Sequence, residues 1–424
     1  MNARLALWGW GLLFVAAPLF WFPSAFSTPS LLLVPAVLLG LTLRRVPWRT
    51  PLDWPILGLA LMVLVSLYTT FSIAFSLPKI SGVIWGIGLC YAGLAYAQSS
   101  PRALANSLGV YLGLGSLIAM FGLLGTRWVN KFEWLTQLSA RLPARWVRLP
   151  GAENGLHPNE VAGVLLWVAP LALALSLTLW PQLARGLGWL RAGLLGGLLM
   201  VAALGTTAVL ILTQSRSGLL GLGVALAVML GLGGLRTRWR WLALGGLLTS
   251  GVSGLWLGRA FLGQFLIAAD ASAIGFDARL EIWSRAIYAI QDFGLLGMGL
   301  NTFRVLVHLL YPLSLIPPGK DFAHAHNLWL QTALDLGLPG LVAYLALWFG
   351  CIGLLWQTWW RSTEGWLRAV SLGLLSSLMG HFAYSWLDAV TLGARPGFMG
   401  WLLIALVVAT WKVSRLPTRI QSGL

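Results

Sequence analysis

Apolar runs long enough to cross a bilayer follow one another along almost the whole chain, separated by short polar breaks. A spanning helix needs about 20 mainly apolar residues. Windows of that size predict helices at 5–22, 29–43, 54–76, 79–97, 103–125 and 159–180 in the first half. The second half adds 191–213, 217–235, 239–258, 327–358, 366–387 and 396–414. The run at 29–43 is short enough to be re-entrant. The run at 327–358 is longer than a span needs and can begin outside the bilayer. The pattern predicts an all-α polytopic integral membrane protein of about twelve transmembrane helices. It reads as a single membrane domain over 1–424, with two larger loops, 126–158 and 259–326, containing short amphipathic helices.

Composition agrees. The 424 residues are 58% hydrophobic and 9% charged, with a mean hydropathy of +0.81. A soluble domain carries about a quarter charged residues, so lipid is the natural solvent for this surface. Many of the 25 Trp, among them Trp48, Trp54, Trp239, Trp241, Trp359 and Trp360, stand beside predicted helix ends. There the ring is buried while its N–H stays wet. Cys90 and Cys351 lie inside apolar runs and suggest neither a disulfide framework nor a metal site. The first run reads as an uncleaved first helix, because so many spans follow it.

The formal charge of +16 would point to nucleic acid in a soluble protein. Here the basic residues cluster in alternate short loops: Arg4; Arg44, Arg45 and Arg49; Arg102; Arg185 and Arg191; Arg236, Arg238 and Arg240; Arg361 and Arg368; Lys412, Arg415 and Arg419. The opposite short loops hold little beyond Lys79, Arg216 and Arg395. The first set is expected to be cytoplasmic, with both termini inside and no nucleic-acid partner. The two larger loops then face the outer side. They carry Arg127, Lys131, Arg141, Arg145 and Arg148, then Arg259, Arg279, Arg285, Arg304 and Lys320. Long loops translocate regardless of charge. These cations can serve lipid headgroups or an anionic substrate.

Walker, GxGxxG, HExxH and GxSxG motifs are absent, as is an acidic pair for a metal-bound nucleotide sugar. Four features carry candidate chemistry. The second outer loop ends in Asp321-Phe-Ala-His324-Ala-His326-Asn327-Leu-Trp-Leu-Gln331, at the mouth of a membrane helix. The positive end of the helix dipole disfavours an imidazolium, and a neutral imidazole can accept a hydroxyl proton. The alternative is a polar interfacial cap. Asp335 lies about 13.5 Å further along the helix axis, too far to orient His326 directly. In the helix predicted around 278–291, Arg279 falls among Trp283, Ala286 and Ile290 on the apolar face. Glu281 and Arg285 form a solvated i,i+4 pair opposite. An arginine on a buried face needs an anion or must snorkel. Arg216 is the only charge in 192–235 and sits in the tight turn Thr213-Gln-Ser-Arg-Ser-Gly218. His157 and Asn159, around Pro158, line a site or cap the sixth predicted span.

These residue types suit a lipid-linked diphosphate sugar. Arginine stays charged and makes forked hydrogen bonds to phosphate oxygens, so no metal or cofactor is needed. A neutral His can deprotonate an acceptor hydroxyl. Diphosphate is a good leaving group, so the second carboxylate of a glycosidase is unnecessary.

The sequence His326-Asn327-x3-Gln331, followed by Asp335-x-Gly337-x2-Gly340, resembles the O-antigen ligase and polymerase superfamily, with Asp335 in place of the usual Glu. Gly155 to Ala162, Ser215-Arg216-Ser217-Gly218, and Arg279-x3-Trp283 followed by Gly297-x-Gly299-x3-Phe303 resemble three further family segments in the same order. The likeness covers about residues 150–345. It implies His326 as the base and Arg216 and Arg279 as ligands of undecaprenyl diphosphate; from the local reading, His157, Asn159, His324, Asn327 and Arg285 stand beside them as supporting candidates. It also implies metal-independent transfer of a glycan to a lipid A-core or similar acceptor, at the periplasmic face of the bacterial inner membrane. The family's polymerases, which extend glycans on the lipid carrier, share these segments. A small-anion or bicarbonate permease is the reading from another class. It predicts paired repeats with broken helices at the midplane, and no clear repeat is visible.

Overall fold

A computed structural model describes residues 50–128, scattered positions between 131 and 142, 155–186, 189–235, 276–318 and 321–417. The runs expected at 5–22, 29–43 and 239–258 lie outside these residues, as does most of the 126–158 loop. The remaining expected runs fall on helices, except that the run expected at 54–76 breaks at 70–72 and its last residues open the next helix. In chain order these are α1 (Asp53–Thr69), α2 (Ile73–Ala97), α3 (Pro101–Gly125), α4 (Pro158–Gly186), α5 (Trp189–Leu212) and α6 (Arg216–Leu235). There follow α7 (Phe276–Phe293), α8 (Phe303–Leu310), α9 (Leu328–Arg361), α10 (Gly365–Tyr384) and α11 (Phe398–Val413). Among the described residues, seven helices are long and apolar enough to cross a membrane. The protein is therefore an all-helical, multi-pass membrane protein.

Local chemistry sets the helix starts. Ser72 and Ser100 accept from the backbone N–H groups of Phe75 (3.4 Å) and Ala103 (3.1 Å), and Pro101 opens α3 where its missing donor costs nothing. Small residues set the helix crossings. A Cβ on Gly221 of α6 would stand 2.6 Å from the Gly380 carbonyl oxygen of α10, and one on Gly163 of α4 would strike Tyr384 at 2.7 Å. The central helix α4 is buried against α5, α6 and α10. The outer face of α5 instead exposes Leu194, Leu198, Val201 and Leu204, which suits lipid.

The long helix α9 is broken at Gly337 (φ 69°, ψ 178°), just before Pro339. The break exposes backbone groups, and the turn after α7 takes them. Leu338 N–H donates to the Gly294 carbonyl (2.7 Å), and Met298 N–H donates to the Leu334 carbonyl (2.7 Å). A Cβ on Gly297 would lie 2.5 Å from the Gly337 nitrogen, so both positions need glycine. This clip, with a small core of Ile282, Ala286, Ala289, Phe303, Phe322 and Leu334, fixes α7 to the first turns of α9.

Candidate functional site

Three chain segments meet at the end of the bundle where α4, α6 and α9 begin. The first is the loop before α9. Asn327 caps this helix, its side-chain oxygen accepting from Trp329 N–H and Leu330 N–H (both 3.0 Å), while its amide donates to the Trp386 carbonyl (3.1 Å). Gln331 accepts from Ala325 N–H (2.8 Å) and donates to Asp335 (2.9 Å), which also accepts from Asn301 N–H (3.2 Å). Asp335 thus supports the histidine loop from behind, through Gln331. His326 itself holds a left-handed backbone (φ 50°), uncommon for a residue with a Cβ. That turn brings its N–H onto His324 Nδ1 (3.1 Å) and sets the two rings edge to face, 4.7 Å apart.

The second segment is the loop between α10 and α11, which supplies Asp388. This carboxylate is almost fully buried (1% exposed). Its Oδ1 lies 3.5 Å from His326 Nδ1 and 3.7 Å from His324 Nε2, and accepts from Ala389 N–H at 2.9 Å. Its Oδ2 accepts from the Asn159 amide at 2.5 Å. The third segment is α7, whose Arg279 donates to the Leu387 carbonyl (2.5 Å) and stands 3.6 Å from Asp388 Oδ2. Trp283, one turn on, donates to the Ala325 carbonyl (2.9 Å) and ties α7 to the histidine loop.

Burial alone would raise the Asp388 carboxyl. The approach of His326 and the Arg279 guanidinium outweigh burial and hold it well below the usual carboxylate range. Burial and the neighbouring His326 keep the His324 imidazole well below its usual value, against the pull of Asp388. The cluster is thus one ionised carboxylate beside a neutral His324 and a cation.

His324, His326 and Asp388 lie close enough to hold a metal ion, with ligand atoms within 4.8 Å of one another. The donor set does not fit one. His324 Nδ1 accepts a backbone N–H, so the proton of a neutral His324 sits on Nε2, the atom that faces Asp388. A ring nitrogen bearing a proton has no lone pair for a metal. The same logic orients His326. With Nδ1–H toward Asp388 at 3.5 Å, Nε2 keeps its lone pair; both ring nitrogens are buried, and neither has a hydrogen-bond partner among the described residues.

The other sequence-derived candidates fall around this cluster. Asn159 reaches it directly. His157 stands on the rim, within electrostatic reach of Asp388, His326, Lys131 and Arg279. Arg216 opens α6 after a turn in which Gln214 takes φ 52° and Ser215 caps Gly218 N–H (3.2 Å). Gly218 packs on Ala162, one turn below Asn159, so Arg216 lies at the same end of the bundle. Gln214 accepts from Lys131 and Phe132 N–H (2.6 and 2.8 Å), tying the first larger loop to this turn. Arg285 points elsewhere. It donates to the Pro312 carbonyl (3.0 Å) and pairs with Glu281 at 4.0 Å, clasping the turn after α8.

Asp388 is the residue that the sequence reading missed. Its signal was present: it is the only acidic residue after Glu364, placed between two apolar helices. Val390 to Gly393 of its loop line a small pocket together with Trp167, Tyr344, Trp348 and Trp401.

No curated protein matches the chain. Residues 198–345 match the family described as O-Antigen ligase, a stretch that contains Arg216, Arg279 and both loop histidines. That match, over about a third of the chain, together with an all-helical membrane fold that brings Arg279 and the histidine pair onto one carboxylate, supports a relationship to the O-antigen ligase superfamily.

Proposed function

We propose that the protein is a glycan ligase. It transfers a glycan from undecaprenyl diphosphate to a hydroxyl of lipid A-core or a similar acceptor, at the periplasmic face of the inner membrane and without a metal. His326 Nε2 takes the proton of the acceptor hydroxyl as its oxygen bonds to the anomeric carbon. The bond from that carbon to the diphosphate oxygen breaks, and the electron pair leaves with the diphosphate. Arg279 and Arg216 neutralise the departing charge. Asp388 holds His326 in the tautomer that leaves Nε2 free, as the carboxylate of a catalytic triad does for its imidazole. The observation that carries this reading is the approach of His326 Nδ1 to within 3.5 Å of the buried Asp388.

The test uses purified protein, a lipid-linked glycan donor and lipid A-core. His326→Ala and Arg216→Ala are each expected to abolish transfer while the protein inserts normally. Full activity in either variant removes that residue from the mechanism. A chelator is expected to leave the rate unchanged, and loss restored by a divalent cation refutes the metal-free scheme. Transfer only to a second lipid-linked glycan, never to lipid A-core, would make the enzyme a polymerase.

A further inference from the structure

We propose that Lys79 is a positioning residue for this reaction, acting through Thr391 to set the loop that carries Asp388. The inference rests on the proposed transfer. A lysine inside an apolar helix is costly unless it has work to do, and Lys79 lies in the second turn of α2. Among the described residues, its ammonium forms no ion pair with Glu160 or Asp335, the carboxylates within its electrostatic reach. It donates instead to Thr391 Oγ1 at 2.5 Å.

The backbone of Lys79 holds the same loop. Gly393 (φ 72°) lies so close that an added Cβ would stand 1.9 Å from the Lys79 carbonyl oxygen. A Cβ on Gly82, one turn on, would stand 2.4 Å from the Gly393 carbonyl oxygen. Asp388 therefore sits on a short arch with two fixed feet. One is the end of α10, where Asp388 N–H donates to the Tyr384 carbonyl (3.0 Å) and Leu328 N–H of α9 donates to the Ser385 carbonyl (2.9 Å). The other is the clamp of Lys79 on Thr391 and Gly393. Asp388 stands 3.5 to 3.7 Å from its histidine and arginine partners, so a small slide of the arch separates it from them.

The experiment compares Lys79→Met, Thr391→Val, the double variant and Lys79→Arg in the full-length purified protein, with kcat and donor KM measured separately. If Lys79 works through Thr391, both single variants lose kcat to a similar extent, about 100-fold for a displacement near 1 Å. Donor KM then stays within about threefold, the double variant is no worse than either single one, and Lys79→Arg recovers much of the rate. A Thr391→Val enzyme with wild-type kcat overturns the proposal, and it does so even if Lys79→Met fails to fold. Losses that multiply in the double variant, or a rise confined to donor KM, also overturn it and make Lys79 a direct ligand of the donor diphosphate. No transfer by the wild-type enzyme from any prenyl-diphosphate donor would instead bring down the proposed function, and this inference with it.

Discussion

Asp388→Asn removes one charge and changes almost no volume, so it isolates the role of the carboxylate. Asp388 Oδ2 accepts from the Asn159 amide at 2.5 Å, and Oδ1 accepts from Ala389 N–H while facing both histidines. An asparagine has one oxygen for these two sides. If its NH2 replaces Oδ2, it meets the Asn159 NH2 and the Arg279 guanidinium, donors against donors. If its NH2 replaces Oδ1, it meets Ala389 N–H and the protonated His324 Nε2, and it forces His326 Nδ1 to accept. The His326 proton then moves to Nε2, and the base is lost. A positioned general base contributes about 10²- to 10⁴-fold, or roughly 2.7–5.5 kcal/mol of barrier at about 1.4 kcal/mol per decade. Initial rates at saturating donor and acceptor, with the melting temperature recorded beside them, measure the loss. A variant within about threefold of the wild-type rate at an unchanged melting temperature would refute the orientation of His326 by Asp388. A loss confined to donor KM would make Asp388 a binding residue.

The two arginines of α7 should part company. Arg279→Ala, and to a lesser degree Arg279→Lys, should cut transfer by about 10²-fold or more, because lysine lacks the fork that reaches both Leu387 and Asp388. Arg285→Ala should keep the rate and cost at most about 1 kcal/mol of stability. Gly337→Ala forces a Cβ to within 2.6 Å of the Leu295 carbonyl oxygen at a left-handed φ. It should lower stability by about 2–4 kcal/mol, read by thermal unfolding in detergent; an unchanged melting temperature would show that the clip between α7 and α9 is dispensable. Because the folded-state pKa of Asp388 is depressed, its contribution to stability is present above the unfolded value of about 3.9 and is lost as pH falls toward the folded value. The melting-temperature gap between wild type and Asp388→Asn should therefore be open at neutral pH and close in acid.

The membrane character of this protein and the approximate positions of most of its described apolar helices could be read from the chain alone, because hydrophobic burial in lipid is written in local composition. Twenty apolar residues make a span whatever lies beside them. The break in α9 was also foreshadowed locally, by Gly337 and Pro339. The separation of Arg279 from Arg285 came from helical periodicity, another local property. What tertiary structure alone decided is the partnership at the site. Asp388 lies 62 residues after His326 in the numbering and 109 after Arg279, and no pattern of spacing joins residues on separate helices. Its lone negative charge in an apolar stretch marked it as unusual without naming its partners. The helix crossings made by Gly163, Gly221 and Gly380 bring α10 against α4 and α6, and so carry the Asp388 loop to the histidines. Lys79 shows the same limit: along the chain it is one cation near a helix end, and only folding sets it against Thr391.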